Sequence, residues 1–339
     1  MKRLCLLFAC LASTIEAQAQ VPPSNTDSQV SFSEETAPPA TRREAPPTTF
    51  RSGVDLVALN VVVTDGAQMF VTGLAPTDFA VYEDGVQQEV SFFGASDVPL
   101  DLAILLDTSA SMTDKIQTLQ QAAIGFVSTL RTGDRAIVLD IKDATRVLFP
   151  LGDNLEAARS AILATTARGG TALYNGTYLA IKELVKQRRE SGEVRRQALV
   201  VLSDGADTTS LMSYEDVMDQ AKQSGIAIYT ITLRSKFDVA RAERSGRRYF
   251  NQAEYGMKAL AQETGARAFF PTDIAELAGV YASIAEELAT QYALGYASKN
   301  PKRDGAYRRV IVQVTDKPGV RTRTRAGYLS ARQLVASGR

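Results

Sequence analysis

Leu102-Ala103-Ile104-Leu105-Leu106-Asp107-Thr108-Ser109-Ala110-Ser111 is an apolar run that stops at a carboxylate followed by alternate hydroxyls. A continuous apolar run of this kind reads as a strand buried on both faces, and Met112 to Leu130 behind it has helical spacing. Asp107, Ser109 and Ser111 are thereby placed on a strand-to-helix loop, where open α/β sheets bind their ligands. One acid and two hydroxyls are hard oxygen donors of modest charge. They suit Mg²⁺ or a similar ion that keeps water and leaves a position open.

Outward from this run, strands and helices alternate between Leu100 and Thr290. The spacing predicts strands over Asp101 to Leu106, Arg135 to Ile141, Ala144 to Phe149, Gln197 to Leu202, Ile226 to Leu233 and Ala266 to Phe270. Helices fill the intervals at Asn154 to Ala167, Leu173 to Arg189, Tyr214 to Gln223, Ala253 to Thr264 and Ile274 to Leu288. Such alternation specifies an α/β fold with a doubly wound, mainly parallel sheet. The link Lys142-Asp143 is too short to cross between parallel strands, so one edge strand is expected to run antiparallel.

The flanks have another character. Leu56 to Val63, Phe79 to Gly85 and Glu89 to Phe93 are short β-rich runs with Asp-Gly turns, one of them at Asp65-Gly66. They are too few for a sandwich of their own. Tyr292 to Tyr296, Tyr307 to Val314 and Val320 to Tyr328 repeat the pattern, so the α/β domain is expected to be inserted in a small antiparallel β-sandwich-like module built from both ends. The expected division is a signal peptide over 1–19, a Pro/Thr-rich tether over 20–50 and β strands over 51–98. A central domain over 99–289, completing strands over 290–329 and a tail over 330–339 follow.

Composition excludes several function classes. With 339 residues, 45% of them hydrophobic, the chain is globular. Met1-Lys2-Arg3, the apolar Leu4 to Ala12 and Ala17-Gln18-Ala19 read as a secretory signal cleaved before Gln20, which makes the protein exported, periplasmic or extracellular. Leu7-Phe8-Ala9-Cys10 loosely resembles a bacterial lipobox, but the apolar stretch ahead of it is very short. Both cysteines, Cys5 and Cys10, fall in this segment and leave the mature chain without a thiol, disulfide or cysteine metal site. Gln20 to Thr49, with Pro22-Pro23, Pro38-Pro39 and Pro46-Pro47, cannot bury a core and reads as a flexible tether. Lys and Arg balance Asp and Glu at 38 each, so no general attraction to nucleic acid or to a membrane surface follows. No later stretch approaches the ~18 to 20 apolar residues of a membrane helix, so no transmembrane segment is expected in the mature chain. The absence of histidine removes the usual general base, the HExxH zinc site and every serine-histidine triad, and an enzyme is not expected.

Two further loops present oxygen atoms beside the first. Gly169-Gly170-Thr171 puts a hydroxyl where a glycine pair lets backbone approach closely, just before a helix, and Val200-Val201-Leu202-Ser203-Asp204-Gly205 ends a second apolar strand in a carboxylate. Asp107, Ser109, Ser111, Thr171 and Asp204 are therefore expected to meet at one sheet edge. The pattern closely resembles the von Willebrand factor A domain and its metal-ion-dependent adhesion site: Asp-x-Ser-x-Ser at Asp107 to Ser111, the threonine at Thr171 and the distal aspartate at Asp204. The resemblance covers about Pro99 to Leu288. The flanks, with Leu-x-Pro-x-Asp-Phe-x-Val-x-Glu-Asp-Gly over Leu74 to Gly85 and a closing Arg-x-Gly-Tyr over Arg325 to Tyr328, resemble exported bacterial proteins that carry a related domain. The resemblance implies Mg²⁺, or Mn²⁺ or Ca²⁺, held by Ser109, Ser111 and Thr171, with Asp107 and Asp204 reaching it directly or through water. It also implies a protein partner whose Asp or Glu carboxylate completes the coordination. The bland alternative is that the two acids cap helices while the hydroxyls satisfy loop amides.

Other charged positions have solvated or local defaults. Asp114 occupies a position that some relatives use for a second cation, but Lys115 follows it and a first-turn helix carboxylate is the simpler account. Asp207 reads equally as an outer-shell contact of the metal or as Asp-Thr-Thr turn chemistry, and is left out of the site. Arg234 to Arg248 reads as a solvated loop near the metal, with contact to an acidic ligand as its functional alternative. Arg321-Thr322-Arg323-Thr324-Arg325 reads as an edge strand whose charged face guards against aggregation, with a polyanion site as its functional alternative. The expected function is an exported metal-dependent protein-binding or adhesion module. The alternative is a structural module in which the metal only stabilises the fold and the β module makes the contacts.

Overall fold

The computed structural model describes residues 56–95, 98–191, 193–204, 207–234 and 252–331. The expected signal over 1–19, the tether over 20–50 and nearly all of Arg234 to Arg248 lie outside the described residues. The first strands are β1 (Leu56–Thr64), β2 (Phe79–Glu83), β3 (Val86–Gln88) and β4 (Val90–Gly94). The central part runs β5 (Leu100–Asp107), α1 (Ile116–Val127), β6 (Arg135–Ile141), β7 (Arg146–Gly152), α2 (Leu155–Leu163), α3 (Leu173–Ser191) and β8 (Arg196–Ser203). It continues through α4 (Tyr214–Ser224), β9 (Ala227–Thr232), α5 (Gln252–Glu263), β10 (Ala268–Phe269) and α6 (Leu277–Thr290). The last strands are β11 (Tyr292–Ala297), β12 (Tyr307–Val314), β13 (Arg321–Arg323) and β14 (Gly327–Leu329).

The central sheet has the order β10-β9-β8-β5-β6-β7 and is parallel except for β7, which returns antiparallel along β6 at the edge. The apolar run of β5 is buried along its whole length because both faces are covered. Leu102, Ile104 and Leu106 pack with Leu119 and Phe126 of α1 and Tyr281 and Ile284 of α6. Ala103 and Leu105 pack with Ala180 and Leu184 of α3 and Val217 of α4 on the other side. At the start of β5, Asp101 is buried and clamped by Arg135 at 2.8 Å and Arg195 at 2.7 Å, so its charge serves the fold. The chain leaves β5 toward β6 on one side while β8 lies on the other. The C-terminal end of β5 is thus a topological switch point, where such sheets open a crevice.

Two antiparallel sheets, β13-β1-β11-β4 and β14-β12-β2-β3, are built from the two ends of the chain. Leu59 of β1 lies opposite Leu294 of β11, and Val81 of β2 opposite Val312 of β12. Alternate residues of these strands, among them Val57, Leu59, Val61, Val81, Tyr292, Tyr296 and Val310, fill a core of their own between the sheets. At the junction, the buried Arg196 donates to the carbonyl of Val98 at 2.9 Å and to that of Leu288, joining the segments that lead into and out of the central domain.

Several boundaries differ from the sequence expectation. The helix expected over Asn154 to Ala167 ends at Leu163, where the Gln120 amide donates to the carbonyls of Ile162, Leu163 and Thr165 and the Thr165 hydroxyl donates to Ile162 at 2.8 Å. Side chains complete that helix end and turn the chain away. Val320 to Tyr328, expected as one strand, is two: β13 joins β1 in one sheet and β14 joins β12 in the other. Of the three arginines expected as a charged guard, Arg321 is exposed on the edge strand β13, whereas Arg323 and Arg325 turn inward. Arg323 lies 2.6 Å from the buried Glu287, and Arg325 keeps only 8% of its surface exposed.

Candidate metal centre

Asp107 closes β5 as its last residue, rather than standing on the loop beyond, and is fully buried. Its Oδ1 accepts the Ser109 N–H at 2.9 Å and its Oδ2 accepts the hydroxyl of Ser203, the last residue of β8, at 2.6 Å. Two adjacent strand ends therefore fix the carboxylate. Burial pushes its carboxyl above the ordinary value, against the hydrogen bonds from Ser109 and Ser203, and the negative charge of Asp204 pushes it the same way. Asp204 follows β8 directly, half-buried, and has no hydrogen bond or ion pair with any described residue.

The hydroxyls of Ser109 and Ser111 pair within the loop rather than with the helix that follows. Ser109 stands at the N-terminus of a 3₁₀ turn over Ala110–Lys115, yet its side chain makes no capping bond there; its Oγ lies 3.0 Å from Ser111 Oγ instead. Thr171 is buried, and its backbone is held on both sides by Thr208: its N–H donates to Thr208 Oγ1 at 2.9 Å and its carbonyl accepts the Thr208 N–H at 2.9 Å. The Thr171 hydroxyl makes no hydrogen bond with a described residue. Capping therefore does not account for Ser109 or Thr171.

Local sequence explains how the loops come together. The Ala110 N–H donates to the Gly169 carbonyl at 3.0 Å and the Arg168 N–H to the Thr108 carbonyl at 2.9 Å, which laces the threonine loop to the end of β5. Gly169 has φ +75°, and a Cβ there would stand 2.3 Å from Asp143 Oδ2. The Gly170 N–H donates to the other Asp143 oxygen at 2.6 Å. Only glycine tolerates both that backbone and that approach.

Asp107, Ser109, Ser111 and Thr171 thus share laced loops, and Asp204 is close enough to act on Asp107 through its charge. Among the described residues there is no group of three or more His, Cys, Asp and Glu able to hold a metal, so a cation here must draw on hydroxyls as well as carboxylates. Two carboxylates without a facing cation among the described residues, one raised by burial, beside the Ser109–Ser111 hydroxyl pair and the Thr171 hydroxyl, fit a hard divalent ion.

The neighbouring acids have other duties. Asp114 lies in the 3₁₀ turn ahead of α1, whose N-cap is Lys115, so it is not a first-turn carboxylate of that helix. Asp207 accepts the Tyr174 N–H at 3.3 Å and caps α3. Arg234 is held by Glu254 at 2.7 Å, and the rest of its arginine-rich segment lies outside the described residues. Sequence reading missed three residues that shape the site: Ser203, Thr208 and Asp143. Ser203 was visible beside Asp204 in Ser-Asp-Gly, whereas the roles of Thr208 and Asp143 depend on contacts between loops distant in the chain.

A family model described as the von Willebrand factor type A domain matches residues 101–283. No curated protein matches the chain. Among solved structures, an aerotolerance-related membrane protein from Bacteroides fragilis is 16% identical with a TM-score of 0.43, over 56% of this chain and 98% of that one. A von Willebrand factor type A protein from Catenulispora acidiphila is 12% identical with a TM-score of 0.44, over 83% and 76%. Proximal thread matrix protein 1 from the mussel byssus, in a form with a zinc-occupied MIDAS motif, is 15% identical with a TM-score of 0.44, over 60% and 49%. This chain therefore spans about half the length of the mussel protein.

Proposed function

Because the chain belongs to the von Willebrand factor type A domain family, we propose that it is an exported, metal-dependent protein-binding module seated on the C-terminal end of β5. Asp107, Ser109, Ser111, Thr171 and Asp204 hold one Mg²⁺ or Mn²⁺, and a partner's Asp or Glu carboxylate completes the coordination. The observation that carries this reading is a set of oxygen atoms that the fold itself does not use. The Asp204 carboxylate and the Thr171 hydroxyl have no partner among the described residues, and Ser109 does not cap. A bound ion would supply a positive charge open to an outside oxygen ligand. The chain's own residues do the rest. Ser203 and the Ser109 N–H orient Asp107, Thr208 positions Thr171, and three neutral hydroxyls leave much of the ionic charge uncompensated, which favours an acidic ligand. The reading is one of binding rather than turnover, since no histidine is present, Asp207 is engaged in capping α3 and Asp143 accepts the Gly170 N–H.

Calorimetric titration with Mg²⁺ and Mn²⁺ tests the seat. The parent should bind one ion and Asp107→Ala should lose at least tenfold in affinity while keeping its circular dichroism. Equal affinity in the two proteins overturns the assignment. Capture of partners from the native envelope should be abolished by EDTA. Capture that survives chelation would restrict the metal to stabilising the fold and leave recognition to the β module.

A further inference from the structure

The closing Arg-x-Gly-Tyr takes no part in the cation seat. Arg325 lies against Gly225, the residue that ends α4, whereas the seat lies where α3 begins. The length of α3 from Leu173 to Arg188 separates the two places by roughly 20 Å.

Arg325 is 8% exposed, and its Nε is sealed from solvent without an acceptor. Its guanidinium makes no hydrogen bond or ion pair with any described residue. The other well-buried arginines are treated differently. Arg308 reaches Glu83, Ser298 and Asn300, Arg195 reaches Asp101, and Arg196 reaches the carbonyls of Val98 and Leu288. Arg325 has instead the ring of Tyr328 5.2 Å away and the glycine at the end of α4, where a Cβ would stand 3.0 Å from Nη1. A second guanidinium converges there: Arg188, in the last turn of α3, donates to the Ser224 carbonyl at 3.0 Å. Burial and the nearby charge of Arg188 help push Arg325 down to about 10, although the neighbouring tyrosines oppose them.

The C-terminal end of α4 and the ring face of Tyr328 both favour a cation. Neither accepts an N–H of the Arg325 fork, the Ser224 carbonyl at that helix end being taken by Arg188, and a buried charge left without acceptors is strongly unfavourable. We propose that Arg325, with Arg188, forms a binding site for a small oxyanion, whose paired oxygens accept the guanidinium N–H groups and relieve the repulsion between the two cations. Phosphate and carboxylate share this chemistry.

Inorganic phosphate and acetate are the probes, titrated separately into the whole mature chain in EDTA, so that the cation seat cannot report. At least one should bind saturably. At ten times its dissociation constant it should raise the unfolding temperature by about 2–4 °C. Tighter binding of phosphate assigns a phosphate-type ligand and tighter binding of acetate a carboxylate. Arg325→Met should weaken that binding at least tenfold and lose the anion-specific rise in unfolding temperature, keeping only the general salt effect that both proteins share. Arg188→Met, at a half-buried helix position, should weaken binding severalfold, and it decides the location if Arg325→Met does not fold. Absence of binding by both anions, or binding unchanged in the folded variants, overturns the proposal.

Discussion

Glu83 is a carboxylate 2% exposed in the core between two sheets. Tyr296, Ser298 and Tyr328 donate hydroxyls to it at 2.8, 2.6 and 2.9 Å, and Arg308 stands 3.3 Å away. Burial alone would raise its carboxyl. The hydroxyl donors and the Arg308 cation outweigh burial and hold it below the ordinary value of 4.5. A carboxyl depressed in the fold contributes stability that is complete above its unfolded value and lost as pH falls through the folded one. The unfolding temperature should therefore drop as the solution is taken below about pH 4.5, and Glu83→Gln should flatten that acid limb while lowering stability at neutral pH by about 3 kcal/mol, as removal of one buried partner does. Calorimetric scans at several pH values check both, and an unchanged acid limb in Glu83→Gln would dissociate Glu83 from it. None of this was legible in the sequence, where Glu83 is one position in Phe79 to Gly85. Its partners come from the far end of the chain, and pattern cannot pair residues so widely separated. The Asp107 to Ser111 loop was legible for the converse reason, since its chemistry is local and follows directly on an unmistakable strand.

Elements with a strict period and punctuated ends were read closely, and those whose ends depend on tertiary contacts were not. The helix expected over Tyr214 to Gln223 is Tyr214–Ser224, because Ser213 caps its start, accepting the Asp216 N–H, and Gly225 closes it with φ +71°. The strand expected over Arg135 to Ile141 is β6 itself. By contrast, the stop at Leu163 is imposed by Gln120 from another helix, and the division of Val320 to Tyr328 follows from each half finding a different sheet. The glycine loop before α3 belongs to both classes: its composition announced a close approach, while the object approached, Asp143, was hidden. Gly169→Ala must force a Cβ to 2.3 Å from Asp143 Oδ2 on a left-handed backbone. It should cost about 1 kcal/mol from backbone conformation alone. It should also displace Thr171 and weaken divalent-ion affinity tenfold or more. Chemical denaturation measures the first effect and calorimetric titration the second; loss of stability with unchanged metal affinity would separate this loop from the seat.

At the scale of the whole molecule, the two ends of the chain are partners while the central domain keeps its own cores. The clusters on the two faces of the central sheet contain residues from Leu100 to Leu288 and none from the antiparallel sheets. The third core combines Val57, Leu59, Val61 and Val81 from one end with Tyr292, Leu294, Tyr296, Val310 and Val312 from the other. Shared β character at both ends was readable from composition, but which strand lies beside which was not, because register depends on the opposing side chains and turn geometry. The separation of cores leads to an asymmetric result on truncation. A chain of residues 56–289 keeps β1 and β2 but loses β11 and β12, leaving apolar strands with open edges, and it should aggregate. A chain of residues 98–289 lacks those strands and should remain folded and bind the divalent ion. It should be less stable than the full chain, since Glu287 is buried and loses Arg323 from 2.6 Å, keeping the Tyr229 hydroxyl at 2.6 Å. Sedimentation and limited proteolysis distinguish the cases. If residues 56–289 were as soluble and as protected as the full chain, the strands at the two ends would not depend on one another.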